Sequence, residues 1–537
     1  MIFVDSFGIT EVTILLITII FGLFYWFFIT PLVYWRRRNV PSIPGVIIFG
    51  SLMDAITLKG TIGEIYADMY FELKGNRYGG FIKFHKPGII LRDPEIIKNV
   101  LLRDFTSFHD NDIEIAPKQD PLMARNIFVV SGESWKKIRA GVSPAFTAQK
   151  IKSIYPLILE ICERLKAHLR EMVDHSGEKG WEVEMKDMAA RFMTEVVSSC
   201  AFGLKTDAIG NPDNEFHRMG KKLLEPAPVK AIVQLIILVQ PTLSRILRLR
   251  FFSSDITNFF RELVKEVVSK REQTGTTRND FLNMLTLLNK EGKLSLAGAE
   301  EKKKTNGDEA VNILKGDRLD DMAAQAVGFF TDGYETSSTL FGFTIFEMAH
   351  NPDIQQRLRE EVLESMERHG GVLTYEGIQE MTYMEMVVQE VLRMYPPAMS
   401  ITRICNKRYR LPSIEEGTDS EGGAWIEKGM PVVVPVYGLH RDPLHYPEPD
   451  RFDPERFSEE GKKERHRFVH LPIGEGPRIC IGIRFGFAQT KSAIATILAN
   501  YEVFPSERTK KPIQVDPNNF LFTSKDKLWI RIRNLKH

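Results

Sequence analysis

The sequence predicts a mainly α-helical domain with a smaller β-rich part, placed behind a single N-terminal membrane-spanning helix. Three observations carry this. Val12 to Val33 contains no charged residue and is long enough to cross a bilayer. Most of the later chain shows helical patterning, including one stretch from Leu319 to His350. Gly79 to Arg92 gathers Phe81, Ile82, Phe84, Ile89, Ile90 and Leu91 around Pro87-Gly88, as a pair of short strands does.

Composition sets the outer bounds. A chain of 537 residues is long enough for several domains, though large single-core enzymes reach the same size, and a 43% hydrophobic fraction fills a sizeable core. Lys and Arg total 71 against 70 Asp and Glu, and the net charge of +1 gives no electrostatic reason to expect nucleic acid. The four cysteines, Cys162, Cys200, Cys405 and Cys480, lie far apart with no Cys-x-x-Cys pair. That argues against a disulfide framework and suits a reducing compartment.

The elements follow in chain order. Asp5 and Glu11 precede the apolar run, and Trp35 with Arg36, Arg37 and Arg38 follow it, so the positive-inside rule places the bulk of the chain in the cytosol. A cleaved signal peptide would have a shorter apolar core and its charges first. Pro41, Pro44 and Gly45 then make a stiff turn. Residues 1–35 thus read as an anchor, 36–50 as a basic, proline-rich hinge, and 51–537 as one domain.

Beyond the strand pair, Pro94 to Leu102 opens a helix, and further helices start near Glu133, Ser153 and Glu184. Val229 to Val239 is apolar but too short to span a bilayer; it reads either as a buried helix or as a segment lying on the membrane surface. Asn289 to Arg318, rich in Lys, Glu, Gly and Asn, reads as a solvated loop. The helix from Leu319 carries Asp320 and Asp321 in its first turn and stops at Asn351-Pro352. Midway lies Thr331-Asp332-Gly333-Tyr334-Glu335-Thr336-Ser337-Ser338, where glycine, β-branched residues and hydroxyls predict a local kink. Thr382 to Met394 forms another helix bearing Glu390 and Arg393.

The most informative segment is Pro472 to Gly482, Pro-Ile-Gly-Glu-Gly-Pro-Arg-Ile-Cys-Ile-Gly. Gly474, Gly476 and Gly482 allow a backbone bent tightly around Cys480, and an apolar-rich helix follows from Ile483 to Ile497. A sulfur near a helix N-terminus is favoured as a thiolate. With Arg478 two residues away for an acidic edge group, the pattern points to axial ligation of haem iron. It is no dinucleotide fingerprint, because no third glycine follows Gly476 at the required place.

That segment resembles the haem-binding loop of the cytochrome P-450 superfamily, Phe-Gly-x-Gly-x-Arg-x-Cys-x-Gly, with Ile473 in place of the first Phe. Thr331 to Ser338 resembles the family's oxygen-binding helix, and Asp332 stands where relatives carry Ala or Gly. The Glu390/Arg393 pair, Tyr395-Pro396-Pro397 and Phe452-Asp453-Pro454-Glu455-Arg456-Phe457 complete the family's order of motifs.

The resemblance implies a cytochrome P-450 fold, mainly α with a smaller β-rich subdomain, and haem b with the Cys480 thiolate as axial ligand. Thr336 would hydrogen-bond the activated dioxygen, and Glu335 would help bring protons from solvent. Asp332 shares a helix face with Thr336 and would either contact a polar substrate group, join the proton relay, or turn toward a neighbouring helix. Trp135, Arg139, Arg403 and Arg478 would hold the haem carboxylates, for which arginine has the right bidentate geometry. Related sequences often place a basic residue where this chain has Asp110-Asn111-Asp112. Glu390, Arg393 and Arg456 would form a buried network supporting the haem-side core. Lys136, Lys137, Lys462, Lys463, Arg465 and Arg467 could face an acidic redox partner. His466 and His470 have helical metal-ligand spacing but no supporting cysteine pair.

The function implied is a membrane-anchored haem-thiolate monooxygenase of the endoplasmic reticulum, its catalytic domain cytosolic. It would insert one atom of dioxygen into a lipophilic small molecule, such as a xenobiotic, steroid or fatty-acid-like compound. Electrons would come from NADPH through NADPH-cytochrome P-450 reductase, with cytochrome b5 as an optional second donor. Two other classes remain: a reductase-independent haem-thiolate isomerase or dehydratase, and a non-catalytic haem-binding sensor.

Overall fold

The computed structural model describes residues 9–224, 227–294, 316–414 and 423–535. The chain divides into two compact units, one of Met1–Asp112 with Ser400–Leu439, the other of Ile113–Met399 with His440–His537.

The first unit holds the N-terminal helix and a four-stranded sheet. Ile9–Phe24 continues through a wider turn at Tyr25–Ile29 and a tighter one at Thr30–Val33. From Glu11 to Val33 the mean hydropathy is 2.5 and no residue is fully buried, which fits a membrane anchor. Its end is fastened to the sheet. Trp35 is 1% exposed, and its indole N–H donates to Phe81 O at 3.1 Å. Gly80 makes room for that ring: a Cβ there would lie 2.3 Å from the indole. Ile43 N–H donates to Gly80 O, and Gly80 N–H to Pro41 O, so the proline-rich segment is strapped along the same strand.

The sheet orders Tyr78–Lys83, Lys86–Leu91, Pro431–Val434 and Ile401–Ile404, the middle pair being parallel. Phe84-His85 makes the hairpin turn, with Phe84 at φ 58, and Pro87 and Gly88 pair with Ile82 and Phe81 inside the hairpin. Gly88 serves packing, since a Cβ would meet the Phe81 ring at 2.5 Å.

The second unit is predominantly helical, with a three-stranded antiparallel sheet of Trp181–Glu184, Trp529–Asn534 and Tyr501–Pro505. Its axis is the central helix Gly316–His350, about 50 Å long at 1.5 Å per residue. Most residues from Asp320 to Ala349 are buried, the exceptions falling between Phe329 and Thr336, so the helix is packed around most of its length, and Pro352 opens the next helix. Met185–Val197 and Ile483–Asn500 are principal neighbours. The mid-helix kink expected from Gly333 and the hydroxyls does not interrupt it. Thr331, Thr336 and Thr344 each donate to the carbonyl four residues back, at 2.6 to 2.7 Å, so the hydroxyls are satisfied within the helix.

Thr382–Met394 has the bounds the sequence indicated. The expected loop at 289–318 lies largely outside the described residues; its start continues the helix Phe281–Lys290. Pro228–Val239 is a helix with two characters, Val229 being 76% exposed and Ile237 buried.

Candidate functional site

The middle of the central helix presents four faces. Gly333 and Ser337 lie against Ile483–Asn500: Gln489 donates to Gly333 O at 3.3 Å and Ser337 Oγ at 2.7 Å. A Cβ on Gly333 would meet Val197 at 3.1 Å, so glycine permits the close approach of Met185–Val197. Phe330 and Tyr334 stack on each other, and Tyr334 covers Gly220. Glu335, Ser338 and Thr339 surround Lys186, whose Nζ lies 2.9 Å from Glu335 Oε1, 2.9 Å from Ser338 Oγ and 2.6 Å from Thr339 Oγ1. The fourth face carries Asp332 and Thr336.

Asp332 keeps accessible surface although protein surrounds it, and burial alone pushes its carboxyl up to about 7. Cys480 shows the same pair of properties. A side chain enclosed yet accessible lines an internal cavity, and the charge of Asp332 is felt at the Cys480 sulfur. The cysteine loop and this helix face therefore look onto a shared interior space.

The loop is built as its glycines suggest. Gly474 and Gly476 adopt φ +74 and +77, and Cys480 N–H donates to Ile473 O at 3.0 Å. Gly482 supplies a backbone N–H to the Cys480 sulfur, and Ile483–Asn500 follows at once. Burial nonetheless pushes the thiol above its ordinary value; Asp332 adds to this, while the Gly482 N–H and Arg139 oppose it. The Gly482 N–H at the start of that helix favours the thiolate, as the sequence indicates, against the opposing effect of desolvation. A coordinating metal deprotonates a thiol outright.

The basic residues nearby are ordered. Arg478 stacks on Trp135 at 4.2 Å and donates to Val130 O at 3.0 Å. Arg139, one turn after Trp135 on Gly132–Val142, donates to Ile479 O at 2.8 Å. Arg403 belongs to the other unit, where it donates to Asn111 Oδ1 at 2.7 Å. Asn111 thus has an arginine partner, and Asp112 pairs with Lys83 at 2.5 Å.

Glu390 and Arg393 are wholly buried and bidentate, at 2.7 and 2.8 Å. Arg456 Nε stands 3.5 Å from Glu390 Oε1, and Asp453 N–H donates to the same oxygen at 2.9 Å. Arg393 also donates to His440 O. His440, fully buried, donates from Nδ1 to Arg393 O and accepts from Leu471 N–H at Nε2, so it locks the network to the segment leading into the cysteine loop. Neither His440 nor Lys186 was visible as a site residue, because each acts through a partner far along the chain.

Several of the remaining basic residues have local partners. Lys136 pairs with Glu133, Lys462 with Glu459 and Arg467 with Glu475. Arg465 packs on the Phe457 and Tyr446 rings. His470 stacks on His440 and meets Gln389, and among the described residues no cluster of three His, Cys, Asp or Glu could hold a bare metal ion.

A haem fits this donor set. One sulfur with a backbone N–H donor faces an interior space, and a metal taking a single protein ligand there needs its other ligands from a macrocycle. Arg139 and the Trp135-stacked Arg478 stand in the same unit for the macrocycle's acidic edge.

The family model described as Cytochrome P450 matches residues 41–530. Cytochrome P450 9e2 of Blattella germanica is 37% identical, covering 93% of this chain and 93% of that protein. Cytochrome P450 6k1 of the same organism is 35% identical over 91% of each. Probable cytochrome P450 6a14 of Drosophila melanogaster is 34% identical over 97% of this chain and 99% of its own length.

Proposed function

The chain belongs to the cytochrome P450 family, whose members are monooxygenases, and from that premise we propose that it is a membrane-anchored haem-thiolate monooxygenase acting on lipophilic small molecules. Residues 1–35 anchor it to the endoplasmic reticulum membrane, residues 36–50 connect, and residues 51–537 form the cytosolic catalytic domain. NADPH-cytochrome P-450 reductase supplies electrons, with cytochrome b5 as an accessory donor. Its substrates are xenobiotic, steroid or fatty-acid-like compounds.

The observation that supports this best is the cysteine loop, in which Gly474 and Gly476 take left-handed backbone and the Gly482 N–H meets the Cys480 sulfur just before the helix Ile483–Asn500. Cys480 would ligate the haem iron through its sulfur, while Trp135, Arg139, Arg403 and Arg478 would hold the haem carboxylates. Gly474, Gly476 and Gly482 shape the loop so that the macrocycle can approach it closely. When bound, the haem supplies the reductive activation of dioxygen and the transfer of one oxygen atom to substrate.

The chain's own residues handle protons, position and water. Thr336 Oγ1, now donating to Asp332 O at 2.6 Å, presents a hydroxyl to the cavity and can turn its proton inward. Glu335 lies on a different face, held by Lys186, which is 23% exposed. It takes protons from solvent at Oε1 and must leave Lys186 to deliver them toward Thr336. The apolar turns of the central helix on either side keep bulk water out. Glu390, Arg393 and Arg456 hold the cysteine side of the core without touching substrate.

The test is spectroscopic. The purified, reduced protein exposed to carbon monoxide should show the red-shifted absorption band of sulfur-ligated haem, and Cys480→Ser should abolish it. An unshifted band in the native protein, or an unaltered spectrum in the variant, would overturn the reading.

A further inference from the structure

The end of the N-terminal apolar helix lies against the first unit. Residues 28–34 are half-buried, and the ring of Phe27 stacks on that of His85 at 4.2 Å. His85 and Phe84 form the tip of the hairpin made by Tyr78–Lys83 and Lys86–Leu91. The same end of the hairpin carries the loop Val46–Gly50. Val46 and Gly50 exchange backbone N–H···O bonds at 2.8 Å, and Gly50 pairs with Lys83. The ring of Phe49 meets that of Phe84 edge-on at 6.2 Å. A Cβ on Gly45 would lie 2.9 Å from Leu32 Cδ2, so the loop begins against the helix itself.

The helix sets the depth of these contacts. Glu11–Val33 has 23 residues, about 35 Å at 1.5 Å per residue, against roughly 30 Å of hydrocarbon in a bilayer. Only about one turn of it can stand clear of the acyl chains. Phe27 is six residues from Val33, roughly 9 Å along the axis. The hairpin tip stacked on Phe27 is therefore held at or below the level where the acyl chains begin.

The loop suits that level. Val46, Ile47 and Ile48 are 50%, 47% and 43% exposed, and no polar or charged side chain interrupts Val46–Gly50. Ile48 stands at φ 74, a left-handed conformation that a β-branched side chain adopts only under strain. Glycine would fit that turn without strain. Isoleucine instead presents an apolar side chain outward, which water disfavours and acyl chains do not. Lys86, exposed next to His85, is long enough to carry its ammonium toward the headgroups.

Resting on the reading of residues 1–35 as a membrane anchor, we propose that the loop Val46–Gly50 and the tip Phe84-His85 are a second membrane contact. They insert among the acyl chains of the bilayer that the anchor crosses. Lipid is the occupant because this apolar surface adjoins the half-buried end of the helix and shares its depth. The first unit is then held at two points. It cannot roll about the helix axis without drawing Ile47 and Ile48 through the headgroups.

The test uses the full-length holoprotein in phosphatidylcholine vesicles. A fluorophore is attached through Ile47→Cys and, as a depth standard, through Ile20→Cys; Val46→Cys repeats the measurement should the first label disturb the loop. Cys162, Cys200 and Cys405 are buried, and native protein carried through the same labelling is the blank. The carbon monoxide spectrum shows that each labelled protein is folded. Quenching by a nitroxide on the upper acyl chain is compared with quenching by aqueous iodide. The Ile47 label should be quenched by the nitroxide lipid to within about twofold of the Ile20 label, and be shielded from iodide.

Iodide quenching as strong as that of the free dye overturns the proposal. So does a label shielded from iodide yet untouched by nitroxide lipid, since a second copy of the chain would then cover the loop. If the Ile20 label is quenched by lipid and the loop labels are not, this inference alone is removed. If the Ile20 label also escapes the lipid quencher, the anchor reading falls with it.

Discussion

Glu335 and Thr336 are adjacent in sequence but serve different neighbours: Glu335 Oε1 lies 2.9 Å from Lys186 Nζ, whereas Thr336 Oγ1 bonds back to Asp332 O at 2.6 Å. A proton reaching the cavity by way of Glu335 must therefore be released from an ion pair. Lys186→Met should leave Glu335 buried without its cation and lower stability by ~2–3 kcal/mol. Adding Glu335→Gln to that variant should recover most of the loss. Denaturant midpoints of the two single variants and the double variant form the check; additive losses would show that the pair is not coupled.

The Glu390 network should respond in order of burial. Arg393 is fully buried and bidentate, while Arg456 reaches the same carboxylate at 3.5 Å and keeps 10% exposure. Arg393→Ala should cost about 3–5 kcal/mol and most of the bound haem. Arg456→Ala should cost less of both, though still a measurable amount. Haem-to-polypeptide ratios after purification decide the point, and a normal haem content in Arg456→Ala would remove that residue from the network.

Acid should weaken the fold through His440. Burial, reinforced by the Arg393 charge, lowers its pKa to about 3. The unfolded chain titrates near the ordinary value of about 6.5 and so binds the extra proton first. Between those two values the unfolded state holds more protons, and stability falls as pH falls below about 6.5. His440→Gln should be less stable at pH 8 yet lose less on acidification from pH 7 to 5. Equal slopes in the native protein and the variant would contradict this.

The cysteine loop should tolerate no side chain at its two left-handed glycines. Gly474→Ala or Gly476→Ala places a Cβ at φ +74 or +77, a cost of roughly 1–2 kcal/mol at each position. Reduced haem retention, measured by dialysis against apomyoglobin as acceptor, is the expected outcome. Unchanged retention would mean that the loop relaxes without moving the sulfur.

Much of this was legible in the chain because local chemistry dictates it. An uncharged apolar run flanked by arginines can be read as an anchor without knowing its neighbours, and the spaced glycines announce a backbone that bends around Cys480. The bounds of Thr382–Met394 follow from its patterning and the Tyr395-Pro396 stop.

What escaped was long-range or energetically close. Lys186 and Glu335 are 149 residues apart, and no spacing rule links them. The strand pair was legible, but its turn falls away from Pro-Gly, the stronger local turn signal. Phe84 instead accepts φ 58, and Gly88 is needed beneath the Phe81 ring. The mid-helix stretch looks weak by propensity, but tight packing by Val197, Phe485 and Gln489 overrides it.

The indole of Trp35 sits where the N-terminal apolar helix meets the body of the first unit, wedged over Gly80 and bonded to Phe81 O. A joint keyed in this way does not swivel. With that helix in a bilayer as proposed, its rotation or tilt would be transmitted to the strands as torque, so lipid thickness would set the angle at which that sheet meets the water interface. Cutting the chain just after Trp35 should therefore do more than free the protein from lipid: it would pull a structural pin out of the sheet.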